Sequence, residues 1–168
     1  MEDEQHPDFD FAGPGPQDVA NGTAILAAAL VREAESLAST AAGLRATLDL
    51  FTIDGFSPEA EDRRVMREGT RDAAALAGAL VLVARQLLRF TGEPARAAHE
   101  TIGRLPRGSL SVGEVVGHLR AAALAPVTDD GAARIAAATI AETFAEEFEA
   151  AWQKAAPAIG GKGDTNGL

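Results

Sequence analysis

The stretch MREGTRDAAALAGALVLVARQLLRF, residues 66–90, decides the fold. Within it Met66, Gly69, Ala73, Leu76, Leu80, Val83, Leu87 and Phe90 follow one another at intervals of 3,4,3,4,3,4,3. That period lines all eight along one side of a helix and would scatter them over both faces of a strand. Start and stop signals bracket the run. Ser57 is a cap, Pro58 suits the first helical position, and Glu59, Glu61 and Asp62 complement the dipole of the first turn. Gly92 and Pro94 end it. The expectation is a helix over 58–91, about 50 Å long.

A second helix is expected over 18–51, starting between Asp18 and Thr23, with Asn21-Gly22 blurring its boundary. Leu30, Leu37, Leu44 and Phe51 recur every seven residues, and Ala34, Ala41 and Leu48 fall four after the first three. The turn Thr52-Ile53-Asp54-Gly55-Phe56 joins the two helices. Equal lengths, a short connection and matching seams predict an antiparallel, coiled-coil-like hairpin. Its seam is Leu30, Leu37, Leu44, Leu48 and Phe51 against Leu76, Leu80, Val83, Leu87 and Phe90.

The second helix changes character along its length. Asp62 to Asp72 is heavily charged, whereas Ala73 to Leu88 is apolar nearly all round and calls for cover on every side. Either the C-terminal third of the chain or a second copy would supply that cover. The C-terminal third reads as helices over 94–105, 112–125 and about 131–156. Ser111-Val112-Gly113-Glu114 forms a capping box before the second, and Asp129 or Asp130 caps the third. On the third, Ile140, Phe144, Phe148 and Trp152 stand four apart, an aromatic stripe that reads as core or as the lining of a pocket between helices. The fold class is therefore all-α: a long antiparallel hairpin packed with two or three further helices into a bundle. Residues 1–17, acidic and rich in Pro and Gly, read as a disordered arm; 18–157 as one helical domain; and 158–168 as a disordered Gly-rich tail.

Composition agrees and narrows the function. Hydrophobic residues make up 46% of the chain but aromatics only 5%, so Ala supplies much of the core, which suits closely packed helices. There is no Cys, hence no disulfide, thiolate metal site or cysteine nucleophile. The start Met1-Glu2-Asp3-Glu4 lacks the basic opening of a secretory signal, and the uncharged run Ala73–Ala84 falls short of a membrane span, so a cytoplasmic protein is expected. A net charge of −10 opposes adsorption to nucleic acid or anionic lipid over most of the surface. Only residues 85–120 are locally basic.

Constellations that would announce a chemistry are incomplete. His99-Glu100 opens a helical zinc motif without its second His, and Glu114 with His118 is spaced four instead of three, a pattern that reads as a hydrogen bond along the helix or a solvated pair. Ser109-Leu110-Ser111-Val112-Gly113 lacks the first Gly and the preceding strand of a nucleophile elbow. In Gly13-Pro14-Gly15-Pro16 the prolines remove the amides a phosphate cradle needs. The carboxylate pairs Glu146/Glu147 and Asp129/Asp130 read as solvated surface and caps. We therefore expect no enzyme activity, catalytic residue, cofactor or metal.

Two functions remain. The first is a helical bundle acting through protein–protein contacts, as a homodimer or other homo-oligomer, or as an accessory subunit. The second is a DNA-associated regulator in which 94–125 has the outline of a helix-turn-helix, the hairpin dimerises, and Arg104, Arg107, His118 and Arg120 contact DNA. That second helix offers few polar side chains and the connection is long, so nucleic acid is the weaker expectation.

Overall fold

A computed structural model describes residues 13–53, 59–106, 110–124 and 128–155. They form five helices and, among the described residues, no strand: α1 (Pro16–Ile53), α2 (Ala60–Arg89), α3 (Pro94–Ile102), α4 (Val112–Leu124) and α5 (Gly131–Ala155). The predicted start signals Ser57 and Pro58, the Gly-rich tail and most of the acidic arm lie outside the described residues.

Local chemistry sets the helix ends. Pro16 begins α1 two residues before the expected Asp18, where its missing N–H costs nothing. Asp18 instead accepts the N–H of Gly15 at 2.8 Å. With 38 and 30 residues, α1 and α2 span about 57 and 45 Å, so the hairpin arms are unequal. The N–H of Phe90 donates to the carbonyl of Gln86 at 2.9 Å, and Gly92, with φ of 83°, then turns the chain out of α2. α3 stops three residues short of the expected 105, although Leu105 still donates its N–H to the Thr101 carbonyl. At α4 the carbonyl of Ser111 accepts the N–H groups of Glu114 and Val115. Asp130 caps α5: its Oδ1 accepts from Ala132 and Ala133, both at 3.1 Å.

α1 and α2 run antiparallel, with Gly69 opposite Leu44, and Arg63 and Arg67 opposite Leu48 and Phe51. α5 packs on α1, α3 and α4, and α2 packs on α1, α3 and α4; α2 and α5 do not pack on each other. The cover over the apolar half of α2 therefore comes from α1, α3 and α4, not from the last helix. Nor does it reach every side. Leu76, Ala77, Ala79, Leu80, Val83, Ala84, Gln86 and Leu87 are buried, while Ala74, Gly78, Arg85 and Leu88 stay exposed. Ala74 and Gly78 present little apolar area and Arg85 is charged, so of the four only Leu88 leaves a large apolar side chain in water.

The core of this body is made of Leu26, Leu30, Leu80, Val83, Leu87, Val115, Leu119, Phe144 and Phe148, all enclosed. The rings of Phe144 and Phe148 stack with centroids 5.6 Å apart, and Trp152 lies 6.3 Å from Phe148 at the core's margin. Each enclosed Leu or Phe contributes about 1.5–3 kcal/mol. Buried Thr23 and Thr101 donate their hydroxyls to the carbonyls of Val19 and Ala97, both at 2.7 Å, so neither needs a partner from another helix.

Gly22 is the tightest point of the bundle. A Cβ there would meet Ala136 Cβ at 2.8 Å, Ala137 N at 2.8 Å and Ala133 O at 2.9 Å. This glycine lies inside α1, where its missing side chain lets the backbone of α5 approach. It marks a helix crossing, not a blurred helix start.

Candidate interaction surface

Burial along the hairpin stops partway. On α1 the last buried residue is Ala41, and on α2 nothing before Leu76 is buried. Residues 42–53 and 59–75 thus form a two-helix stalk, extending about 18 Å along α1 past its last buried residue. Two helices alone can enclose only a narrow seam, so long side chains there keep one flank in water.

The predicted seam divides accordingly. Leu30, Leu76, Leu80, Val83, Leu87, Phe144 and Phe148 are in the core. Leu37, Phe90 and Trp152 are half-buried at its edge. Leu44, Leu48 and Phe51 are half-buried in the stalk, as are Met66 and Ala73. Two stalk residues that the sequence reading passed over, Leu50 at 60% exposure and Val65 at 55%, face outward. Their signal was present: each is a large apolar side chain off the seam, among charged neighbours.

The stalk's charges fall into two groups. Arg64 is held between Glu61 at 2.6 Å and Glu68 at 2.9 Å, one turn away on either side. Its hydrogen bond keeps the Glu61 carboxyl below its ordinary range, and the two glutamates keep the guanidinium charged to higher pH than usual. These side chains all lie at the surface, so the pairs add little to stability. By contrast, Arg45, Arg63 and Arg67 have no ion-pair partner within 4.0 Å among the described residues. They converge from both helices on a groove of about 370 Å³. Leu48 and Phe51 supply its apolar lining, and Asp49 and Thr70 complete it. Three guanidiniums against one carboxylate give the groove a positive balance within an acidic protein.

The cations considered for DNA are differently placed. Arg104 lies 3.9 Å from Glu100, and His118 Nδ1 lies 3.4 Å from Glu33. Arg120 grips Glu142 with Nε at 3.0 Å and a terminal nitrogen at 3.1 Å, and its charged form is favoured by that bond and by Glu142, then Glu149 and Glu146. Arg107 lies outside the described residues. Arg89 and Arg96 flank the Phe90 ring at 5.1 and 4.5 Å. α3 and α4 pack on other helices but not on each other, unlike the two helices of a helix-turn-helix.

The short metal-like spacings resolve into local bonds. His99 Nδ1 lies 2.8 Å from the Ala95 carbonyl, and His118 faces Glu33 of α1 instead of the Glu114 expected from spacing. Among the described residues, no three His, Asp or Glu gather closely enough to hold a metal, and no helix is long and apolar enough to cross a membrane. Comparison of the chain with protein-family models, curated proteins and solved structures finds no match.

Proposed function

We propose that this is a non-enzymatic helical-bundle protein that works through protein–protein contacts made by its stalk, as a homo-oligomer or an accessory subunit. The observation that carries this reading is the half-covered seam: Leu44 and Leu48 continue the enclosed stripe of the body but are only half-buried. Outward-facing Leu50 and Val65 extend the apolar surface around it. Such a surface gains most from another protein. A cytoplasmic setting fits a cysteine-free chain of this charge.

The test is the solution mass of the full chain by sedimentation, with affinity capture of bound proteins beside it. Mass above the monomer, or a captured partner, that is lost in Leu50→Glu/Val65→Glu supports the reading. These positions are exposed, so the variant keeps its fold. A strict monomer at about 100 µM, with no partner sensitive to that variant, would sink it. That range covers weak interfaces. For the DNA-regulator alternative, no observation of the basic segment favours it: Arg104, His118 and Arg120 all face carboxylates.

A further inference from the structure

We infer that the arginine-rich corner where α2 gives way to α3 is capped by this chain's own acidic N-terminal segment, residues 1–12, in an intramolecular contact. The corner lies at the opposite end of the hairpin from the stalk, and the contact goes beyond the interaction reading above without depending on it. Arg85, Arg89 and Arg96 build the surface, and all three are exposed. The guanidiniums of Arg89 and Arg96 lie 5.1 and 4.5 Å from the centroid of one ring, that of half-buried Phe90. Arg85 stands one turn before Arg89 on the same side of α2. Glu93 lies 3.5 Å from Arg96, whereas Arg85 and Arg89 have no carboxylate within 4.0 Å among the described residues. Like charges gathered in this way repel one another, and an anionic segment laid across them removes that cost. Leu88, 53% exposed and three residues after Arg85, adds an apolar surface beside them.

Charge and chain length select the occupant. Residues 1–12 include Glu2, Asp3, Glu4, Asp8 and Asp10 and no Lys or Arg, with Phe9 and Phe11 to set against Leu88 and Phe90. A Cβ at Gly92 would sit 3.8 Å from Val19 Cγ1, so α1 starts beside the turn that ends α2. The chain therefore enters the body at this corner. Arg89 and Arg85 lie only about 5 and 10 Å back along α2 from Gly92. From Gly13, Asp10 reaches up to about 10 Å, Asp8 up to about 18 Å and the whole segment up to about 40 Å. A tether of this length holds the acids beside the arginines at an effective concentration on the order of millimolar, so that several weak pairs act together. The locally basic part of an acidic chain is thereby shielded from outside polyanions until the segment is displaced.

The test uses the full chain, which has no Cys of its own, carrying a nitroxide spin label on Gln5→Cys, with amide relaxation read by NMR. The reference is the start of α5, residues 131–139, which also lies near the start of α1, since Ala133, Ala136 and Ala137 meet Gly22. The prediction is a paramagnetic enhancement over residues 85–96 about threefold or more above that over 131–139. The excess disappears in Glu2→Gln/Asp3→Asn/Glu4→Gln/Asp8→Asn/Asp10→Asn, whose changes all precede α1, and in about 1 M salt, where the Debye length is about 3 Å. Arg85→Gln/Arg89→Gln abolishes it too, with circular dichroism unchanged because both side chains are exposed. Equal enhancement in the two regions, or an excess that survives neutralisation of the five acids, overturns the inference. So does an excess transferred from spin-labelled chains to isotope-labelled chains mixed with them, because the donor is then another molecule. Leu50→Glu/Val65→Glu leaves the excess in place, so the corner contact and the stalk reading fail separately.

Discussion

One seam runs the length of the hairpin, yet its two ends are in different situations. In the body, Leu80 and Val83 have no exposed surface, because α1, α3 and α4 surround them. In the stalk, Leu44 and Leu48 lie on the corresponding stripe of α1 and stay half-buried. The difference lies in how many neighbours each segment has. Heptad spacing specifies one contact, and burial beyond that contact depends on elements far away in the chain. Stability should follow burial, so the body should carry most of it and the stalk should open more easily.

The largest expected effect compares a charge at each end. Leu80→Glu places an unpaired carboxylate in an enclosed core, at a cost of about 3–5 kcal/mol or more, enough to unfold a domain with only about 5–15 kcal/mol to lose. Leu44→Glu puts the same group where it can turn to water, and most of the helical signal in circular dichroism should survive at 25 °C. Equal loss in both variants would erase the distinction between body and stalk.

Glycine substitutions sharpen it at smaller scale. Ala for Gly inside a helix gains up to about 1 kcal/mol from propensity alone. At Gly22 that gain is outweighed, because the new methyl meets two backbone atoms of α5 closer than 3.0 Å and overpacking costs about 1–3 kcal/mol. At Gly43, in the stalk, nothing lies within 4 Å of the new methyl and the propensity gain stands. Urea midpoints should therefore move down for Gly22→Ala and up for Gly43→Ala. A rise in both would mean that α5 can retreat from α1 at little cost.

The smallest effect is electrostatic and belongs to the stalk. Arg64 holds the Glu61 carboxyl below its ordinary range, so the folded state favours the ionised form. The contribution is complete above the unfolded glutamate value near about 4.3 and fades as pH falls through the lower folded value. Glu61→Gln should flatten the acid limb of the stability profile slightly, as read from urea midpoints between pH 2 and 6. No change in that limb would show that the pair is fully screened.

Much of the fold was legible because it rests on periodic and terminal signals. The helix through 66–89, the Asp130 cap and the Gly92 stop each depend on signals within one or two turns, and each is found where the residues indicate. What escaped depended on contacts between distant segments. Gly22 looked like an irregular start because its reason, the small patch Ala133, Ala136 and Ala137, lies over a hundred residues away. His118 was read against Glu114 on its own helix, whereas its partner is Glu33 on α1. The groove was invisible for the same reason: Arg45 belongs to one helix and Arg63 and Arg67 to the other. The antiparallel register alone brings them together.

Hydrogen exchange of the full chain, followed by mass spectrometry at low and high protein concentration, tests the central claim most directly. In dilute solution the account predicts fast exchange over 40–53 and 60–74 and slow exchange over 24–34, 76–88 and 136–148. Raising the concentration should slow exchange in the stalk. Equal protection along the whole hairpin when dilute, or a stalk indifferent to concentration in a protein that captures no partner, would contradict it.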